Sequence, residues 1–144
     1  MQSNLIDNKI KTEYTKLALK WCKENLGINT RKRKKLILEV SVREKKKGEF
    51  IYYGVYSPNK NKIIIYIENC KDINDLVGTI IHEYTHYLQS SSRYRIYEKL
   101  YYYSQNPYER QARRNEIKYT DKCIDYVVSS SKISASGIST KKRK

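Results

Sequence analysis

Both histidines of this 144-residue chain fall within one stretch of five, His82-Glu83-Tyr84-Thr85-His86, and the chemistry that the sequence offers begins there. On a helix, residues four apart stand on one face with their Cβ atoms ~5–6 Å apart. His82 and His86 can therefore offer two imidazole nitrogens to one metal ion. Glu83 reaches the same side, where a carboxylate can take a proton from water that the ion has activated. The H-E-x-x-H spacing suits Zn2+, one ion per chain, with Glu83 as the expected general base.

A catalytic zinc takes three protein ligands and leaves a fourth position for water. There is no third histidine, and Cys22, Cys70 and Cys123 stand at distant positions in no ligand pattern, so the third ligand should be a carboxylate. Glu98, Glu109 and Glu116 are the downstream glutamates. Glu109 stands one turn into a helix opened by Asn106 and Pro107 and is the expected ligand. Asn106 with Glu109 three residues on also reads as a capping box, a local arrangement worth about 1 kcal/mol that needs no metal. The two readings partly converge, because the positive end of a helix keeps a carboxylate ionised. Glu116, two turns further on, can instead orient a histidine.

These residues need elements to hold them. Ile10, Tyr14, Leu17, Trp21 and Leu26 recur at helical spacing before Gly27, predicting a helix from about Asp7 to Leu26. The run Arg31-Lys32-Arg33-Lys34-Lys35 has no apolar face and reads as a basic loop leading into a strand, "LILEVSV". The turn at Gly48 predicts that "EFIYYGVYS" returns antiparallel to that strand, and "KIIIYIE" supplies a third. Asp72 sits where an N-cap would open the helix carrying both histidines, whose apolar face is centred on Val77, Ile80, Tyr84 and Leu88. At ~100° per residue, His82 and His86 fall nearly opposite that face. "RYRIYEKLYYYSQ" is a further helical segment, and the helix after Asn106 runs to about Val128. The expected class is α+β, one domain over residues 1–128, with residues 129–144 a flexible basic tail.

Composition narrows the rest. Thirty Lys and Arg against 15 acids give a net charge of +15, which favours an acidic partner or nucleic acid. Arg31, Lys32, Arg33, Lys34 and Lys35, with Lys141, Lys142, Arg143 and Lys144, are the candidate phosphate contacts, although such runs also occur simply as solvated loops and tails. Fifteen tyrosines, against one Phe and one Trp, make a core whose hydroxyls need partners. Three scattered cysteines suit reduced, buried thiols, and the start of the chain lacks a signal-peptide h-region. No run approaches the ~18 apolar residues of a membrane span. A reducing intracellular, cytoplasmic compartment, with the protein neither secreted nor membrane-bound, is expected.

With His82-Glu83-x-x-His86 followed by Glu109 on a later helix, the chain resembles the zincin metallopeptidases, and within them the gluzincin arrangement of two histidines and a glutamate on zinc. The resemblance covers Asp72 to Cys123. "HEYTHYLQ…NPYERQA" is similar to short phage- or virus-borne zincins, which implies a virion-associated location as the alternative, and compact versions also occur among SprT-like proteases. It implies a zincin-like minidomain: an N-terminal helix, a small three-stranded, mostly antiparallel sheet whose edge strand binds substrate in extended form, the histidine helix and a C-terminal helix. The Asn-Glu-x-x-Ser-Asp motif of the thermolysin subgroup and the third histidine of SprT-like proteins are both absent. The implied activity is hydrolysis of peptide bonds in an intracellular or viral protein, with Tyr87, Tyr103, Tyr108 or Arg113 as candidate donor to the oxyanion. The alternative is a non-catalytic zincin-fold protein, structural, virion-borne or nucleic-acid-associated. Glu83 argues against it, because a structural zinc needs no general base.

Overall fold

The computed structural model describes residues 7–43, 46–48 and 50–132, an α+β arrangement of four helices around a small mixed sheet. Helix α1, Asn8–Leu26, opens where the Asp7 carboxylate accepts the Ile10 N–H at 2.9 Å. It closes at Gly27, whose φ of 93° is a conformation open to glycine. Tyr14, Ala18, Trp21 and Cys22 form its buried stripe. The buried Lys11 ammonium donates to the Ile67 carbonyl at 2.9 Å, tying α1 to the end of the sheet.

Strands β1 (Ile37–Ser41), β4 (Gly54–Ser57) and β5 (Lys62–Tyr66) make the main sheet in the order β1-β5-β4. Strand β5 runs parallel to β1 and antiparallel to β4. The expected hairpin between the first two runs does not form. The turn at Gly48 closes only a separate ladder of β2 (Lys46–Lys47) and β3 (Phe50–Ile51), and one of the two pairings in the main sheet is parallel rather than antiparallel. The most apolar, β-branched run takes the centre, with Ile63 and Ile65 wholly buried, and the two more polar strands are left to the edges. The β4–β5 turn is held by Asn61, at φ 51°, whose side chain accepts from the Tyr56 hydroxyl at 2.6 Å and donates to the Lys34 carbonyl at 2.7 Å.

Helix α2, Ile73–Leu88, carries the histidines and is capped as expected, Asp72 accepting the Asp75 N–H at 2.9 Å. It is buried almost all round. The sheet and α1 cover the face of Val77, Ile80 and Tyr84, and α4 covers much of the histidine side. Its C-terminus is closed by Asn29, whose side-chain amide donates to the Tyr87 and Leu88 carbonyls at 3.2 and 3.3 Å. Helix α3 is Ser91–Leu100, a 3-10 turn spans Tyr103–Gln105, and α4 is Pro107–Ser130. Helix α4 thus passes Val128, and Ser131 is buried, its hydroxyl donating to the Glu13 carboxylate on α1. Lys141, Lys142, Arg143 and Lys144 lie outside the described residues.

The three cysteines are free and buried. Among the described residues no helix is long and apolar enough to cross a membrane.

Candidate metal centre

Two turns of α2 and the first turn of α4 bring His82, His86 and Glu109 to one point. Glu109 Oε1 lies 3.0 Å from His82 Nε2 and 3.1 Å from His86 Nε2. Asn106 fixes the start of α4, its side-chain oxygen accepting the Tyr108 N–H at 2.9 Å and the Glu109 N–H at 3.4 Å. The cap and the inward carboxylate are therefore features of the same residue pair. All three potential ligand residues are substantially buried, with one donor atom from each lying within 4.8 Å of the others.

The other ring nitrogens are engaged as well. His82 Nδ1 is 3.0 Å from Glu116 Oε1, and His86 Nδ1 is 2.8 Å from Gln89 Oε1. Both partners are acceptors there, which assigns a proton to each Nδ1 and leaves each Nε2 to face the common point. Gln89 is itself held, its amide nitrogen donating to the Tyr108 carbonyl at 3.1 Å and to Gln111 Oε1 at 2.7 Å. Glu116 reaches His82 because α2 has Gly78 opposite it. A Cβ there would come within 3.1 Å of Glu116 Oε2 and 3.3 Å of its Cγ.

Electrostatics follow from this packing. Burial acting alone would lower the pKa of His82, but hydrogen bonds to Glu109 and Glu116 and the charge of Glu83 outweigh it and push it up to about 10. His86 is raised too, burial being outweighed by Glu109 and Glu83. For Glu109 burial acts upward, and the two imidazoles overcome it and hold the carboxyl down at about 2. Glu83 is raised by burial, with the histidines opposing. Imidazole protons thus balance the carboxylates when no ion is bound, and a cation can take their place.

The donor set fits a small divalent ion. Metal–ligand bonds of about 2.0–2.1 Å in a tetrahedron separate neighbouring ligand atoms by about 3.3 Å. The two Nε2–Oε1 distances, 3.0 and 3.1 Å, need only a slight outward movement to admit one. His82, His86 and Glu109 together can therefore hold a metal ion.

This cluster lines a cleft of about 500 Å³. The segment from Ile51 to Tyr56, which includes β4 up to Tyr56, lines it too, as do Tyr94, Glu98, Tyr103 and Arg113. Gly54 lets β4 lie against α2, since a Cβ there would meet Thr79 Cγ2 at 2.7 Å and the Ile64 carbonyl at 3.0 Å. Glu83 faces the cleft, buried and 9% exposed, and makes no hydrogen bond or ion pair with any described residue.

Of the tyrosines and the arginine singled out from the sequence, Tyr103 and Arg113 line the cleft, with the Arg113 guanidinium 5.9 Å from the Tyr103 ring centre. Burial and Glu109 raise the Tyr103 hydroxyl well above its ordinary range. Tyr87 and Tyr108 are not among the lining residues. The Tyr87 hydroxyl accepts the Asn29 N–H at 3.1 Å behind α2, and Tyr108 packs on Tyr97 with ring centres 5.0 Å apart. Sequence reasoning missed Gln89 and Tyr94. Tyr94 is buried, with its ring centre 5.0 Å from that of His86 in an edge-to-face contact. The spacing of Gln89, three residues beyond His86 at the end of the helix, was the available signal for it.

No protein-family model, curated protein or solved structure matches the chain. Its functional reading rests on the geometry of this cleft.

Proposed function

We propose that the chain is a zinc-dependent peptidase of the zincin type, with His82, His86 and Glu109 as ligands and Glu83 as general base. The observation that carries this reading is Glu83 itself. A buried carboxylate is normally hydrogen-bonded, because leaving it unpaired is costly. Among the described residues the Glu83 carboxylate has no hydrogen-bond or ion-pair partner, and it borders the same cleft as three potential ligands. Such a group is suited to bonding a water molecule rather than the fold. Two imidazoles and a carboxylate with room for a fourth ligand are the donor set of catalytic zinc.

Zinc held there would polarise a carbonyl and make water acidic enough to attack at neutral pH. Glu83 accepts the proton as the water oxygen bonds to the carbonyl carbon, then delivers it to the nitrogen as the C–N bond breaks. Tyr103 and Arg113, which line the same cleft, are the donors for the developing oxyanion. Among the described residues β4 is an edge strand of the main sheet, paired with β5 alone, and an extended peptide laid along the cleft would add to its other edge as a strand. The substrate class that fits is therefore an unfolded or locally extended protein segment.

The test is Glu83→Gln, which preserves size. Cleavage of an unfolded protein substrate should fall by about 10²- to 10⁴-fold while metal content stays at the wild-type level. Equal cleavage by the two proteins would refute the assignment.

A further inference from the structure

Outside the lining of the metal cleft, two separated stretches of chain bring their cations together. Arg31 and Arg93 line a hollow of about 450 Å³. A second hollow of about 510 Å³ adjoins it, sharing Arg31, Leu88, Gln89 and Ser90 and adding Lys32. No carboxylate lines either one, whereas Glu83, Glu98, Glu109 and Glu116 all line the metal cleft. Lys34 and Arg95 line neither hollow but meet at Asn59, Lys34 donating to its carbonyl at 3.1 Å and the Arg95 guanidinium to its side chain, and Arg95 lies close enough to Lys32 to act on its charge. The Lys32 ammonium stands on the Tyr56 hydroxyl at 2.7 Å and 4.7 Å from that ring's centre. Burial, and to a lesser degree the neighbouring Arg95, lower its pKa to about 8.

None of Arg31, Lys32, Lys34, Arg93 and Arg95 forms an ion pair with a described residue. Surfaces ordinarily intersperse the two signs, and a concave patch of one sign concentrates counter-charge. Ser91 and Ser92, at the start of α3, line the second hollow, and their backbone N–H groups have no acceptor among the described residues. Most other lining residues are Ser, Thr, Asn and Gln, with Leu88 and Ile28 the apolar exceptions, so there is little to insert into a lipid surface. The cations extend over both hollows and on to Asn59, which matches a row of charges better than a single phosphate.

We propose that this groove binds the phosphodiester backbone of a nucleic acid strand, held by Arg31, Lys32, Lys34, Arg93 and Arg95. The basic run was visible in the sequence. Its joining with Arg93 and Arg95 of α3 is visible only in the fold. This inference does not depend on the peptidase reading.

The experiment measures binding of the full chain to fluorescently labelled single-stranded DNA, single-stranded RNA and duplex DNA over a salt series. The triple variant Arg31→Gln, Arg93→Gln, Arg95→Gln is compared with Lys16→Gln, Lys20→Gln, Lys23→Gln on the exposed side of α1, which removes the same charge. The groove variant should bind single strands roughly tenfold or more weakly, with a log–log salt slope shallower by about two, from ~0.7 per lost phosphate contact. The α1 variant should stay within about threefold of wild type at the same salt. The double variant Arg31→Gln, Arg93→Gln leaves the Arg95–Asn59 bond in place and should show an intermediate loss if the triple variant melts early. A preference between the DNA and RNA arms identifies the source of the strand, and either one supports the site. Equal losses in the groove and α1 variants would overturn the proposal, as would wild type that fails to bind at low salt. So would groove variants that lose binding to phosphatidylserine vesicles but keep nucleic acid.

Discussion

Replacing Gln89 with alanine should weaken metal binding without touching a ligand. Its Oε1 is the acceptor for His86 Nδ1 at 2.8 Å, in a place where His86 is 2% exposed and water has little access. Removing the acceptor leaves a buried N–H unsatisfied, at about 1–3 kcal/mol. It also frees the ring to turn its Nε2 away from the common point. Truncations of groups that orient a ligand histidine typically reduce metal affinity about 10- to 100-fold, or about 1.4–2.7 kcal/mol, and the two estimates overlap. Gln89 also donates to Tyr108 and Gln111, so part of any effect could be general loosening of the α2–α4 junction. Gln111→Ala separates the two, because it removes the 2.7 Å bond to Gln89 Nε2 and leaves the bond to His86. The assay is competition for Zn2+ against a chelator of known affinity, at fixed pH, on variants whose circular dichroism matches wild type. Gln89→Ala should lose 10- to 100-fold and Gln111→Ala less than about threefold. Wild-type affinity in a folded Gln89→Ala, or an equal loss in Gln111→Ala, would refute the reasoning.

Glu109→Ala should abolish stoichiometric zinc binding while Glu98→Ala retains it, because among the described residues only Glu109 brings a carboxylate oxygen within about 3 Å of both Nε2 atoms; the opposite order in elemental analysis would show the assigned carboxylate to be wrong. Gly78→Ala should weaken zinc binding less than about tenfold, since the new Cβ crowds Glu116 at 3.1 Å and Glu116 can yield; a loss as complete as that of His82→Ala would show a larger disruption of the α2–α4 contact. In metal-free protein the raised His82 pKa contributes stability that is full below its ordinary 6.5 and disappears as pH rises through about 10. The lowered Glu109 pKa contributes stability that is full above its ordinary 4.5 and disappears as pH falls through about 2. The melting-temperature difference between metal-free wild type and Glu109→Ala should therefore be greatest between about pH 4.5 and 6.5, and a difference that keeps growing toward pH 9 would contradict the coupling. Zinc affinity should rise over the same range and beyond, because binding displaces the imidazole protons.

Features set by local sequence were legible. The helix start near Asp7, the caps at Asp72 and Asn106 and the spacing of His82, Glu83 and His86 depend on residues within a turn or two of one another. Glu109 could be chosen because its helix start is marked by Asn106 and Pro107. Strand order was not legible, since it depends on which runs meet after the chain turns twice. Ile63 and Ile65 placed β5 between β1 and β4, where adjacency in sequence had suggested a hairpin of the first two runs. The tyrosines could not be sorted for the same reason. Tyr87 belongs to the back of α2 and Tyr108 to its junction with α4, while Tyr94, which touches His86, carries no mark in the sequence to set it apart from its neighbours. Gln89 acquires its role only because the end of α2 stops against the first turns of α4.

X-ray absorption at the zinc edge of purified protein tests the central claim most directly, since it reports the ligands of whatever ion is bound. The expected result is one zinc per chain surrounded by nitrogen and oxygen at about 2.0–2.1 Å, with the multiple scattering of two imidazoles and no sulfur. Sulfur at about 2.3 Å, or a chain that binds no zinc when supplied with it, would contradict the site formed by His82, His86 and Glu109.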